Sequence, residues 1–309
     1  MKPLKSVRFQ SHSNMYKSHS WRGLGLNAPD LGIWAKFAAE AGFDAIDLPL
    51  RDLLEQGIPP ESVRQTLHSQ RLLCGATPFP YDWRAGHGEF LITLKKLEPF
   101  LEYAQTIGVT SLYTRVEESV PIGQTRDEAL RWHRERLDQI AEMVGKYNLR
   151  LGLETVGVIS FRNGKLPLMA NLKTVRHELA EIIDRHVSLG LLVDAFHLHA
   201  SNESLEDAVG PLHDRIFGVH VADLPTIVER ENIIDDQRAL PATSNTVPVT
   251  EILQGLASMN CMAPVMIETV KCPKDLQGLQ LREALELVMD SFKKVWPSEC
   301  GFARLSDVK

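Results

Sequence analysis

The chain alternates short apolar runs with longer amphipathic stretches from end to end, and four of the apolar runs stop on a metal-competent side chain. LRLGLETVG carries Glu154, LGLLVDAFH carries Asp194, RIFGVHVAD carries His220 and APVMIETV carries Glu268. Each run is aliphatic and β-branched, as expected of a parallel strand buried on both faces. A carboxylate or imidazole at the end of such a strand needs a partner, because burying it alone is costly. Four strands ending this way imply that the ends converge, and one divalent cation would satisfy all four groups.

Strand geometry supports this within each run, because alternate residues face opposite sides. An inward Glu154 puts Gly152 on the same side and turns Leu151 and Leu153 outward. Asp194 then shares its side with Leu192, His220 with Gly218, and Glu268 with Met266. Val265 and Ile267 are left for an outer layer. Uniformly apolar outward positions are what a barrel wrapped in helices requires.

Candidate strands lie at Val7–Gln10, Ala45–Leu48, Leu72–Ala76, Ser111–Tyr113, Leu151–Glu154, Gly190–Asp194, Phe217–Val221 and Val265–Thr269. Between them sit helical patterns such as LGIWAKFAAEAG, LITLKKLEPFLEYAQTIG and DEALRWHRERLDQIAEMVGKY, and LREALELVMDSFKKVW closes the series. The third of these places Leu130, Leu137, Ile140, Ala141 and Val144 on one stripe. Eight strand–helix alternations predict an α/β fold, a (β/α)8 TIM barrel, spanning residues 1–296, with residues 297–309 as a C-terminal extension. An open doubly wound sheet fits less well. No GxGxxG follows the first strand, and the chemistry-bearing residues fall on late strands.

A length of 309 residues suits one large barrel. A hydrophobic fraction of 44% and a charged fraction of 24% are those of a soluble globular protein. The net charge of −6 gives no basic footprint, so a nucleic-acid partner is disfavoured. Cys74, Cys261, Cys272 and Cys300 form no CxxC pair, which fits a reduced compartment. With no apolar leader segment and no run of membrane-spanning length, the expectation is a cytoplasmic enzyme without a membrane partner.

Together these segments resemble the sugar phosphate isomerase/epimerase superfamily, with its xylose isomerase-like barrel. The phrases that carry the resemblance are AGFDAIDLPL, GLETVG, LLVDAFHLHAS, HVAD, DQRALP and VMIETV. The resemblance runs from about Ala41 onward and is densest between Leu151 and Val270. Ketose 3-epimerases and inosose dehydratases are among the relatives it implies. It also implies that Glu154, Asp194, His220 and Glu268 bind one divalent ion, Mn²⁺ or Mg²⁺ by preference and Zn²⁺ or Co²⁺ as alternatives. By the same resemblance, His197 contacts substrate through the D-x-x-H spacing, as does Arg238 after the seventh strand. Where the family carries Pro-Gly and a second glycine, this loop reads RALPATSNTVP, which changes the backbone conformations open to it. A homodimer is a further implication. Endonuclease IV shares the barrel but uses extra histidines on earlier strands, which CGATPFPYDW and SLYTRVEES lack.

Three oxygen ligands and one imidazole suit a hard to borderline cation. Such an ion can stabilise an enediolate from a keto-sugar or polyol while a neighbouring C–H is deprotonated. Glu154 and Glu268, on non-adjacent strands, could serve as an acid/base pair on opposite faces of the substrate. Epimerisation, aldose–ketose isomerisation and dehydration share these parts. The expected activity is therefore a metal-dependent isomerase or epimerase. A lyase of the inosose or dehydroshikimate dehydratase type, or a keto-glycoside-cleaving subunit, is the alternative, followed by a barrel that binds metal and sugar without turnover. His12, Trp83, Arg115 and His199 lie at expected strand ends or just beyond them, with weaker claims to a role.

Overall fold

The computed structural model describes residues 15–26, 30–162 and 164–298. Nine strand segments form one all-parallel sheet: β1 Tyr16–His19, β2 Ala45–Ile46, β3 Leu73–Cys74, β4 Thr77–Pro78, β5 Ser111–Arg115, β6 Arg150–Glu154, β7 Leu189–Asp194, β8 Ile216–Val221 and β9 Pro264–Ile267. Their order is β3-β2-β1-β9-β8-β7-β6-β5-β4. β3 and β4 are separated only by Gly75 and Ala76, so they are two halves of one barrel strand. The first half pairs with β2 and the second with β5, which leaves a nearly closed barrel with helices around it. This is the eight-position TIM barrel expected from the alternation.

The interruption at Gly75 has a local cause. A Cβ there would lie 1.5 Å from Oδ1 of Asp47, whose side chain enters the barrel from the end of the second strand. Only glycine lets the backbone pass that carboxyl group.

The candidate first strand at Val7–Gln10 lies outside the described residues, as does His12, and the strand that occupies the first barrel position is Tyr16–His19. It pairs with β2 through Ser18 and Ala45 and with β9 through Ser18 and Met266. Its sequence, YKSH, has no apolar alternation, yet Lys17, Ser18 and His19 are all buried. Lys17 is ion-paired with Asp44 at 3.1 Å, Ser18 donates to Asp47, and His19 accepts from Trp34 at 3.1 Å. Polar partners from the following helix and from the two ends of β2 stand in for hydrophobicity here.

The late strands follow the alternation read from sequence. Leu151, Leu153, Leu191, Val193, Val219, Val265 and Ile267 are fully buried against the helix layer. The Arg126–Lys146 helix opens with a capping box of Thr125 and Glu128. It buries the expected stripe of Leu130, Leu137, Ile140, Ala141 and Val144. Among the described residues, no helix is long and apolar enough to cross a membrane.

Candidate metal centre

Strands β6, β7, β8 and β9 are neighbours in the sheet, and their C-terminal ends meet at one mouth of the barrel. A register shift between Leu191 and Leu192 realigns β7 against β8, so that Asp194 stands beside His220. An irregularity at such a rim re-aims the side chains beyond it. His220 in turn stands beside Met266, two residues before Glu268. One ligand-competent atom each from Glu154, Asp194, His220 and Glu268 then lies within 4.8 Å of the others.

His220 is the hub of this cluster. Its Nδ1 is 3.2 Å from Oε1 of Glu154 and 3.2 Å from Oε2 of Glu268. The edge-to-face contact with Tyr113, at 4.8 Å between centroids, fixes the plane of its ring. Burial opposes charging this imidazole, but the carboxylates of Glu268 and Glu154 raise its pKa well above the ordinary value. Burial likewise opposes ionising Asp194. Arg238, His197 and His220 outweigh it and hold the carboxyl at about 2. Glu268 is also shifted downward, by His220 and Arg238 against the penalty of burial. The protein thus keeps acidic groups ionised in a confined space and surrounds them with positive charge.

This donor set fits a divalent cation. Three carboxylates and one imidazole nitrogen converge, and the side chains of Asp194, His220 and Glu154 are at most 9% exposed. Oxygen-rich coordination with one nitrogen suits Mg²⁺, Mn²⁺ or Zn²⁺. Glu154 has no cationic neighbour within ion-pair range apart from His220 among the described residues, so a cation would complete its electrostatic environment.

Arg238 and His197 join the same site. Nη1 of Arg238 donates to Oδ2 of Asp194 at 2.8 Å and reaches Oε2 of Glu268 at 3.3 Å. Its Nη2 donates to Asp235 at 2.7 Å and to Nε2 of His197 at 3.0 Å, and its guanidinium stacks over Phe196. An arginine can only donate, so Nε2 of His197 is the acceptor and its proton sits on Nδ1. That buried Nδ1 has no hydrogen-bond partner among the described residues.

The loop that carries Arg238 solves its lack of glycines in another way. Ala242 and Asn245 take left-handed conformations, with φ of 60° and 56°. Asp223, fully buried just beyond β8, anchors the loop. Its carboxylate accepts from the backbone N–H groups of Leu224, Ser244, Asn245, Thr246 and Val247 and from the Ser244 hydroxyl. Its own backbone exchanges two hydrogen bonds with Ala239, the residue after Arg238. Arg238 is therefore held by a clamp rather than solvated on a free loop. Across the mouth, the segment after β6 packs on the Ala195–Ser201 helix so closely that a Cβ on Gly157 would lie 2.2 Å from the carbonyl oxygen of His197.

Other sequence candidates separate here. Trp83 is a packing residue that donates to Thr114 and stacks with Trp132. His199 lies half-buried on the Ala195–Ser201 helix, two residues past His197. Arg115 ends β5 in register with Glu154. The sequence reading missed Asp223, Asp235, Tyr113 and Asp47. The first two act through a loop contact. The D at the end of HVAD was the available signal for Asp223.

Among curated proteins, no sequence matches the chain. Solved structures share its fold at low identity. The IolI protein, described with a zinc atom, aligns at 15% identity with a TM-score of 0.74, over 91% of this chain and 98% of that one. A D-psicose 3-epimerase, solved in the presence of D-fructose, aligns at 14% identity and 0.70, over 93% and 100%. A probable 3-DHS dehydratase, AsbF from Bacillus anthracis, aligns at 16% identity and 0.70, over 90% and 99%. At such identities the likeness speaks for the fold alone. The family described as xylose isomerase-like TIM barrel matches residues 35–291, most of the chain, and the protein belongs to that family.

Proposed function

We propose that this protein is a divalent-metal-dependent isomerase or epimerase of a keto-sugar or polyol, working at the mouth formed by β6 to β9. The observation that carries the reading is the convergence of Glu154, Asp194, His220 and Glu268 within 4.8 Å, with Arg238 and His197 bonded alongside. These four residues would hold the ion, which when bound supplies Lewis-acid polarisation of adjacent carbonyl and hydroxyl oxygens.

The protein's own groups divide the remaining work. Oε1 of Glu154 faces His220, and its other oxygen engages none of the described side chains, so it is free to take a proton from a substrate carbon. Glu268 reaches the same Nδ1 from the end of β9 and is the second carboxylate of the pair, placed to exchange a proton with the opposite face of the substrate. His197, bonded to Arg238 beside Asp194, would contact the substrate, and its unpartnered Nδ1–H is the donor left for that. Arg238 keeps Asp194 and Glu268 charged and fixed in orientation.

Solvent exchange tests this directly. The metal-loaded protein, incubated with ketoses in D₂O, should incorporate deuterium at the carbon next to the carbonyl and interconvert the epimers or isomers. Appearance of an absorbing enone with loss of water would replace the isomerase reading with the dehydratase one. Absence of exchange from a panel of neutral, carboxylated and phosphorylated ketoses would defeat both.

A further inference from the structure

Arg115 and Arg162 stand on the β5–β6 side of the same mouth and take no part in the scheme above. Arg115 is the last residue of β5. It pairs in register with Glu154, so both side chains point to the barrel side of the sheet. Tyr113, two residues earlier on that side, touches His220. The guanidinium of Arg115 lies over the ring of Phe161, 5.4 Å from its centroid, in the turn Ile159–Arg162 that follows β6. Arg162 is the next residue in the chain after Phe161.

Arg115 and Arg162 are the two arginines with a buried Nε left unpartnered among the described residues, and neither makes an ion pair there. Stacking on a ring holds a guanidinium in place but supplies no acceptor for its N–H groups. Among the nearby acids, Glu117 feels the charge of Arg115 without coming within ion-pair distance of it. Glu117 is within ion-pair distance of Arg84, at 3.8 Å, and the buried Oε2 of Glu118 is itself unpartnered. A desolvated Nε–H costs stability unless something accepts from it. The Nε–Nη edge of a fixed guanidinium matches the two oxygens of a carboxylate or phosphate.

We propose that Arg115 and Arg162 form an oxyanion subsite beside the metal centre, so that the substrate is a sugar bearing a carboxylate or phosphate group. This rests on the isomerase reading above and narrows its substrate class. The anionic group would sit one strand away from Glu154 and hold the reacting carbon in reach of it. Neutral ketoses would lack that anchor.

Two measurements on the full chain test the proposal. In calorimetric titration with inorganic phosphate, with and without Mg²⁺, Arg115→Gln and Arg162→Gln should each weaken binding about 10-fold, the equivalent of one charge-assisted hydrogen bond. Arg115→Lys keeps the charge without the planar fork and should fall between wild type and Arg115→Gln. It also serves if the Gln variant fails to fold. Phosphate affinity equal in wild type and all variants overturns the proposal. The second measurement is deuterium exchange into D-fructose, D-fructose 6-phosphate and 5-keto-D-gluconate. At least one anionic ketose should show kcat/KM about 10-fold above fructose, with the advantage reduced in Arg115→Gln through KM. Fructose exchanging as well as both anions overturns the proposal while leaving the isomerase reading intact. Arginine-dependent phosphate binding without exchange into any ketose supports the subsite and defeats the isomerase reading instead.

Discussion

The two halves of the barrel solve opposite problems. β6 to β9 are strands of four to six residues, apolar along their buried length, and their buried polar groups are collected at or just beyond the C-terminal ends. In the other half, β2, β3 and β4 have two residues each, and polar groups lie inside the strands or against them: Ser18, His19, Asp47 and Thr77 are all buried. The late half confines its charges to one mouth, where a cation and a substrate can meet them. The early half spends buried polar groups on closing the ring. Variants in the late half should therefore change chemistry, and variants in the early half should change stability.

The largest expected effect belongs to the two glutamates. Glu154→Gln and Glu268→Gln each keep an oxygen for the ion and remove the base, so turnover should fall about 10²–10⁴-fold at saturating metal. Metal content, measured by elemental analysis, should stay measurable in both. Loss of the group that takes the substrate proton should also abolish deuterium exchange, whereas loss of its partner should leave partial exchange without net epimerisation. Wild-type turnover in both would erase the proposed contrast between the halves.

The early-half counterpart is Asp47. Burial raises this carboxyl to about 7, against the stabilising bond from Ser18, and its Oδ2 has no partner. A raised carboxyl keeps its proton in the folded state while the unfolded chain has already lost it. Stability should therefore fall as pH rises from about 4 to 7 and level off above. Asp47→Asn removes that dependence and keeps an acceptor for Ser18. In chelated protein above pH 7 it should be more stable than wild type by about 4 kcal/mol at most, since each pKa unit is worth about 1.4 kcal/mol. Below pH 4 the difference should vanish. Urea unfolding at several pH values measures this, and parallel pH profiles would show that Asp47 carries no such shift.

Asp223 joins the two themes, because a structural carboxylate there positions Arg238. Asp223→Ala leaves a set of loop N–H groups without acceptors and should cost about 3 kcal/mol, the upper range for a buried charged hydrogen-bonding group. It should also lower kcat/KM, since Ala239 loses the frame that places its neighbour. A variant that melts early but turns over normally would separate the clamp from the site.

How far the sequence could be read follows the same division. The late strands announce themselves because apolar runs ending on Glu154, Asp194, His220 and Glu268 require a common destination. β1 was invisible because YKSH owes its burial to Asp44, Asp47 and Trp34, which come from later in the chain. The broken third strand was hidden for a similar reason, since the need for glycine at position 75 arises from Asp47 on a neighbouring strand. The loop clamp depends on contacts 21 to 24 residues apart, which no local pattern encodes. Periodicity reports what a segment does by itself. It does not report polar groups satisfied at a distance.

The smallest effect, and the sharpest for the metal itself, is expected from His220→Ala. His220 supplies the single nitrogen of the donor set and touches both glutamates, so its loss should weaken the ion without dismantling the barrel. Removing an outer hydrogen-bond partner of a metal ligand typically costs about 10–100-fold in affinity, and a direct ligand should cost at least as much. Calorimetry with Mn²⁺ and Mg²⁺ measures the shift, and excess ion should restore part of the turnover. The fold should survive, because Tyr113 loses only one edge contact and the surrounding strands keep their ladders. Turnover that stays low at saturating ion would give His220 a task beyond coordination. Unchanged affinity would remove it from the ligand set and leave three carboxylates with Arg238 as a purely electrostatic cluster.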